Sequence, residues 1–208
     1  MKLYYAPGTC SLAVHIVLRE AGYKFELDRV HFGAEKTAGG DYFFKVNPKG
    51  YVPALKLNDG QVLTEAGVIL LFLADQKPES GLAPEAGTME YYHLLEWINF
   101  VGTEIHKNFG QLWRPKAPAQ DRGEQKDLIA KRLDYVAEQL KNKQYLSGDK
   151  FTVADAYLFT VLTWTRPLKM DLSKWPILET YMTRISMRIS VQDALKAEGL
   201  APTTSTVN

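Results

Sequence analysis

The chain has 208 residues, is 46% hydrophobic and 24% charged, and carries a formal net charge of +1. That composition belongs to a globular protein of one large or two small domains. Residues 1–80 hold 9 Lys+Arg against 9 Asp+Glu, which lacks the basic excess of a nucleic-acid binder, and no run approaches the roughly 20 apolar residues that span a bilayer.

A basic cluster followed by a long apolar stretch is missing at the N-terminus, so no secretory leader is read. The single cysteine, Cys10, cannot form an intramolecular disulfide. A reducing, cytoplasmic setting is therefore expected.

In chain order, Lys2–Tyr5 reads as a short strand and Pro7-Gly8 as a turn. Ser11–Arg19 reads as a helix closed by Gly22. Cys10 lies at the junction, where unpaired N–H groups and the helix dipole favour an anion, so its thiol is expected below the usual pKa of about 8.5. A lone cysteine is also a small buried hydrophobe, but the strand–turn–helix setting favours the reactive reading.

Phe25–Val30 alternates as a strand. Asp41–Asn47 is a short helix or turn. Val52–Leu57 and Gln61–Leu63 flank Asn58-Asp59-Gly60 as a hairpin, and Glu65–Lys77 is a helix. The order βαβαββα predicts an α/β unit over residues 1–77 with a mixed sheet. Residues 78–87, rich in Pro, Gly and Ala, read as a linker.

Residues 88–208 are predicted to be helical: Met89–Trp113, stopping before Pro115, then Arg122–Lys141, Val153–Arg166, Pro176–Ile189 and Val191–Glu198, with a frayed polar tail from Ala201. Thr152 and Asp155 form a capping box, Asp replacing the usual Glu.

Three local features bear on chemistry. Pro53 fits the start of an edge strand, and its own residues favour the usual trans bond. Glu65 and the N–H of Ala66 stand at a helix start, where they could hold a ligand's ammonium and carboxylate or merely complement the dipole. Leu95, Asn99, Thr103, His106 and Gly110 share one helix face, opposite a core stripe of Leu94, Ile98, Val101, Ile105 and Leu112. That spacing equally suits an ordinary half-buried histidine. His15, His31 and His93 form no metal-ligand spacing with Cys10, so no metal is predicted.

Together, Tyr5, Cys10-Ser11, Asn47–Gly50, Val52–Leu55, Thr64-Glu65 and Phe151–Tyr157 resemble the cytosolic glutathione transferases, most closely the bacterial beta class with its active-site cysteine. The resemblance runs from Met1 to about Leu200. It implies a thioredoxin-like N-terminal domain, an all-helical C-terminal domain and a homodimer. Glutathione would be a co-substrate with no permanently bound cofactor, and the second substrate a small apolar electrophile.

The resemblance further implies a cis Pro53 that presents the Val52 backbone to glutathione, with Glu65 and Ala66 at its γ-glutamyl end. Cys10 and His106 would be catalytic. Tyr5, Ser11, Glu35, Lys36, Asn99, Thr103, Glu104 and Lys107 would be further glutathione contacts. Pro7, Thr9, Gly110, Trp113 and Trp164 would line the acceptor pocket.

Two departures stand out. Ala66 occupies a position where many transferases have Ser, so only its backbone N–H remains. Glu35 lies near where similar sequences place a Lys for the glycyl carboxylate; the loop register leaves open whether Glu35 or Lys36 stands there, and weaker glutathione binding is expected if no Lys reaches. The alternatives are a glutathione-dependent thiol–disulfide or peroxide reductase using Cys10 as nucleophile, and a non-catalytic ligand- or protein-binding module.

Overall fold

The computed structural model describes residues 1–113 and 118–200. Pro115, expected to stop the long helix, and the tail from Ala201, expected to fray, lie outside them. The first apolar run forms β1 (Lys2–Tyr5), followed by α1 (Ser11–Glu20), β2 (Glu26–Arg29), α2 (Phe43–Val46), β3 (Ala54–Lys56), β4 (Val62–Thr64) and α3 (Ala66–Asp75). The strands form one sheet in the order β2-β1-β3-β4. β1 runs parallel to β2 and antiparallel to β3, with Leu3 opposite both Leu27 and Leu55. Alternation along β1 sends Leu3 into the main core and Tyr4 into a smaller one with Val30, Phe43, Val52 and Ala54.

A 3₁₀ turn at Pro78–Ser80 ends this domain, and the rest is helical. The expected helix Met89–Trp113 is continuous but not uniform. It comprises α4 (Met89–Phe100), a π-helical segment (Val101–His106) and α5 (Lys107–Leu112). α6 (Ala119–Gln139), α7 (Val153–Leu162), α8 (Pro176–Ser186) and α9 (Ile189–Ala197) follow. α7 gives way to a 3₁₀ turn over Thr163–Thr165, so the helix read as far as Arg166 ends earlier.

α1 packs against β1 and α3 in its own domain and against α7 and α9 in the other. Its residues Ser11–Leu18 are all buried, and one hydrophobic cluster runs through both domains. An amphipathic helix would leave a face to solvent. α1 has almost none, so its N-terminus is fixed by both domains at once.

α7 begins at the capping box read from Thr152 and Asp155. The fully buried Asp155 carboxylate accepts from the Thr152 N–H and hydroxyl at 2.8 Å each, from the Leu146 N–H at 2.9 Å and from the Tyr181 hydroxyl at 2.9 Å. Truncation would leave these donors buried without an acceptor, each at about 1–3 kcal/mol. Asp155→Ala should therefore lower the denaturant midpoint by several kcal/mol equivalent, with m nearly unchanged. A midpoint within experimental error of the wild type would refute this role.

Candidate active site

The main candidate site is a cavity of about 1070 Å³ between the domains. On the N-terminal side its wall comes from the β1–α1 turn, the Tyr51–Pro53 strand entry and the start of α3. The opposite wall comes from α4, the π segment, α5, Tyr157 and Trp164.

The turn after β1 is built on Gly8, whose φ of +69° suits glycine. Its N–H donates to Glu198 Oε2 at 2.9 Å, and its carbonyl accepts from Trp164 Nε1 at 2.7 Å. Cys10 directly precedes α1 and is 9% exposed. Its Sγ contacts the Val52 carbonyl at 3.5 Å, and the Val52–Pro53 peptide bond is cis.

The expected low thiol pKa is not found. Burial pushes Cys10 up to about 12, outweighing the backbone N–H groups of Cys10 and Ser11, while the Glu65 charge adds to the rise. A thiol that donates to a carbonyl is held in its neutral form.

Glu65 sits at the α3 start with φ of +70°, a conformation that costs a non-glycine residue about 1–3 kcal/mol. Its carboxylate pairs with Lys49 and accepts from the Tyr51 hydroxyl at 3.0 Å. These two bonds hold its pKa below the ordinary carboxylate value, led by Lys49. Lys49 and Tyr51 were assigned no chemistry in the sequence, and both lie beside the charged end of the cleft.

His106 faces the same cavity. Its Nδ1 lies 2.7 Å from the Tyr157 hydroxyl, and its ring meets Trp164 at 4.9 Å between centroids. Burial pushes His106 down to about 4. It is thus a neutral imidazole near pH 7, not the cation expected to depress a neighbouring thiol.

Most residues expected at the site line this cavity: Pro7, Thr9, Cys10, Val52, Pro53, Glu65, Ala66, Asn99, Thr103, His106, Lys107, Gly110, Trp113 and Trp164. Five do not. Tyr5 is buried beside the His15 ring. Ser11 is buried and accepts from the Ala6 N–H at 3.2 Å. Glu35 is exposed away from the cavity. Lys36 lies over the Tyr42 ring at 4.7 Å. Glu104 accepts from Arg132 Nε at 2.8 Å on α6.

Residues missed in the sequence include Phe32, Tyr51, Leu71, Gly102 and Tyr157, and Ile98, read as part of the core stripe, also lines the cavity. The signal for Tyr157 was its place in the Phe151–Tyr157 motif, which carried the family resemblance but gave this residue no role. Among the described residues, no group of three or more His, Cys, Asp or Glu could hold a metal ion. No helix there is long and apolar enough to cross a membrane.

Residues 1–75 match the family described as glutathione S-transferase, N-terminal domain, and residues 100–188 its C-terminal domain. A solved glutathione transferase from Methylococcus capsulatus is 58% identical, with a TM-score of 0.94 over 96% of this chain and 99% of its own. A beta-class transferase from Sphingomonas chungbukensis is 44% identical, with a TM-score of 0.92 over 97% and 100%. A sphingomonad transferase solved with glutathione is 42% identical, with a TM-score of 0.93 over 97% and 100%. The chain belongs to the glutathione S-transferase family, and its solved relatives include the bacterial beta class.

The depressed His106 pKa carries a stability consequence. The unfolded chain takes up a proton near pH 6.5 and the folded chain only near 4, so stability falls as pH drops through that window. His106→Gln should flatten the slope of unfolding free energy between pH 6.5 and 4. An unchanged slope would contradict the neutral assignment.

Proposed function

We propose that the protein binds glutathione along the N-terminal wall of the cleft and joins its sulfur to a small apolar electrophile held against the helical wall. The observation that carries this is the joining of both walls in one cavity. One wall offers backbone and charged groups around the cis Val52–Pro53 bond and the α3 start. The other mixes polar groups at Asn99, Thr103, His106 and Lys107 with an apolar part around Gly110, Trp113 and Trp164. The glutathione bound in the sphingomonad relative supports the same reading.

In this mechanism the Val52 backbone pairs with the cysteinyl part of glutathione. The Ala66 N–H, at a helix start, meets the γ-glutamyl carboxylate. Glu65 takes the γ-glutamyl ammonium, exchanging it for Lys49, so its carboxylate stays paired with a cation. Asn99, Thr103 and Lys107 complete the peptide contacts. Cys10 and His106 stand at the glutathione sulfur, where S–H and N–H donors favour the thiolate. The glutathione thiol releases its proton to solvent on binding. The thiolate then attacks the electrophile between Pro7, Thr9, Gly110, Trp113 and Trp164, forming the sulfur–carbon bond as the bond to the leaving group breaks and that group departs with its electron pair.

The burial and high pKa of Cys10 favour this over the reductase reading, because the attacking species in disulfide exchange is a thiolate. The same reading carries domain limits of 1–77 and 88–208 around a linker at 78–87. It also carries a cytoplasmic homodimer, whose assembly sedimentation would test.

Conjugation of glutathione to an activated chloroarene tests the reading. The wild type should catalyse it, and Cys10→Ala should keep the rate within about tenfold, since other donors remain at the sulfur. Glu65→Gln should raise the KM for glutathione by roughly tenfold or more, as expected for a hydrogen bond between charged groups. Absence of conjugation in a wild type that exchanges readily with oxidised glutathione through Cys10 would reverse the choice in favour of the reductase.

A further inference from the structure

The mechanism above gives no task to the Tyr157 hydroxyl. This side chain rises from α7, is 4% exposed and stands on the cavity wall. Among the described residues its hydroxyl has one hydrogen-bond partner, Nδ1 of His106 at 2.7 Å. The two rings meet edge to face, with centroids 5.8 Å apart at 83°. Trp164 crosses the imidazole at 67°. The ring of His106 is therefore held by two aromatic neighbours and one hydrogen bond.

That bond admits two proton arrangements. If Nδ1–H donates to the phenol oxygen, the phenol O–H is left without an acceptor among the described residues, in a side chain that is almost wholly buried. If the phenol donates to Nδ1, the buried oxygen and nitrogen satisfy each other. The remaining free donor is then Nε2–H, on a residue only partly buried and lining the cavity. Buried polar groups are overwhelmingly paired, so the second arrangement is the one the geometry favours.

We propose that Tyr157 is a positioning residue for the transfer: its hydroxyl donates to Nδ1 of His106, fixing the tautomer with the proton on Nε2 and presenting that N–H to the glutathione sulfur. The proposal rests on the glutathione reading above. Burial keeps the Tyr157 phenol well above its ordinary pKa and so protonated, with the Glu65 charge adding to the effect. The charged group that bears on the imidazole is Glu65, across the cleft; Lys107, next in the chain, lines the same cavity. A neutral ring donating through Nε2 stabilises a thiolate by hydrogen bonding, and the identity of the protonated nitrogen is set by the partner of the other.

Nitrogen-15 NMR of histidine-labelled wild type without ligand reads the tautomer directly. His106 should carry its proton on Nε2; a proton on Nδ1 would overturn the proposal. Tyr157→Phe then tests its use. Ultraviolet difference spectra on titration with reduced glutathione should show the bound thiol's pKa raised by about one unit. The kcat for conjugation should fall on the order of tenfold, as for loss of a partner that orients a histidine, with the KM for glutathione unchanged.

A folded variant with wild-type thiol pKa and kcat would also overturn the proposal. The tautomer measurement needs only the wild type, so it stands if the variant fails to fold. Calorimetry separates this idea from the reading beneath it. A wild type that takes up no glutathione fails the binding reading, whatever the tautomer. One that binds glutathione with Nδ1 protonated fails this inference alone.

Discussion

Both walls of the cleft depend on how the β1–α1 turn is held. Gly8 gives its N–H to Glu198 and its carbonyl to the Trp164 indole, and both partners belong to the helical domain. Glu198 also faces His15 Nδ1 at 2.9 Å, and His15 Nε2 accepts from Arg19 Nε at 2.8 Å. This chain of donors passes through α1, which is buried from both sides. Trp164 in turn lies against His106. The turn that places Cys10 and the ring that places His106 therefore share an anchor, and the two sides of the sulfur site cannot shift independently.

The electrostatics of the cleft follow from water exclusion more than from local dipoles. A helix terminus is worth about 0.3–1 kcal/mol to a nearby charge, rising to about 2 when partly buried. The rise of Cys10 to about 12 corresponds to roughly 4 kcal/mol against its thiolate. Desolvation wins, and it also strips the proton from His106. In the free protein Cys10 and His106 are thus both uncharged, while Glu65 is paired with Lys49. The arrangement suits a protein that stabilises a substrate's thiolate better than its own.

Much of this was legible in the sequence. The βαβαββα order, the hairpin at Asp59-Gly60, the capping box at Thr152 and Asp155 and the His106 face are all carried by local periodicity and turn chemistry. What escaped reading was decided at longer range. The position of Cys10 was correct but its acidity was not, because dipoles are set by neighbours in sequence and burial by α7, α9 and the Val52 strand entry. Tyr157 lies 51 positions from His106, so its own motif does not reveal that partner. Lys49 belonged to a turn with no visible target until Glu65 folded beside it. Glu35 and Lys36 sit in a glycine-rich loop whose register the sequence leaves open, and in the fold Lys36 turns to Tyr42.

The π-helical segment at Val101–His106 has a meaning for descent as well as for geometry. A π turn takes up more residues than an α turn, and such turns in natural helices are frequently found at functional sites. Loss of one residue there would let the helix tighten and rotate His106 and Thr103 relative to Phe109 and Leu112, with the composition of the core unchanged. In an alignment of relatives, a single-residue gap at this point would mark a rebuilt sulfur site rather than neutral drift. Chain length, as much as residue identity, is then a heritable variable of this cleft.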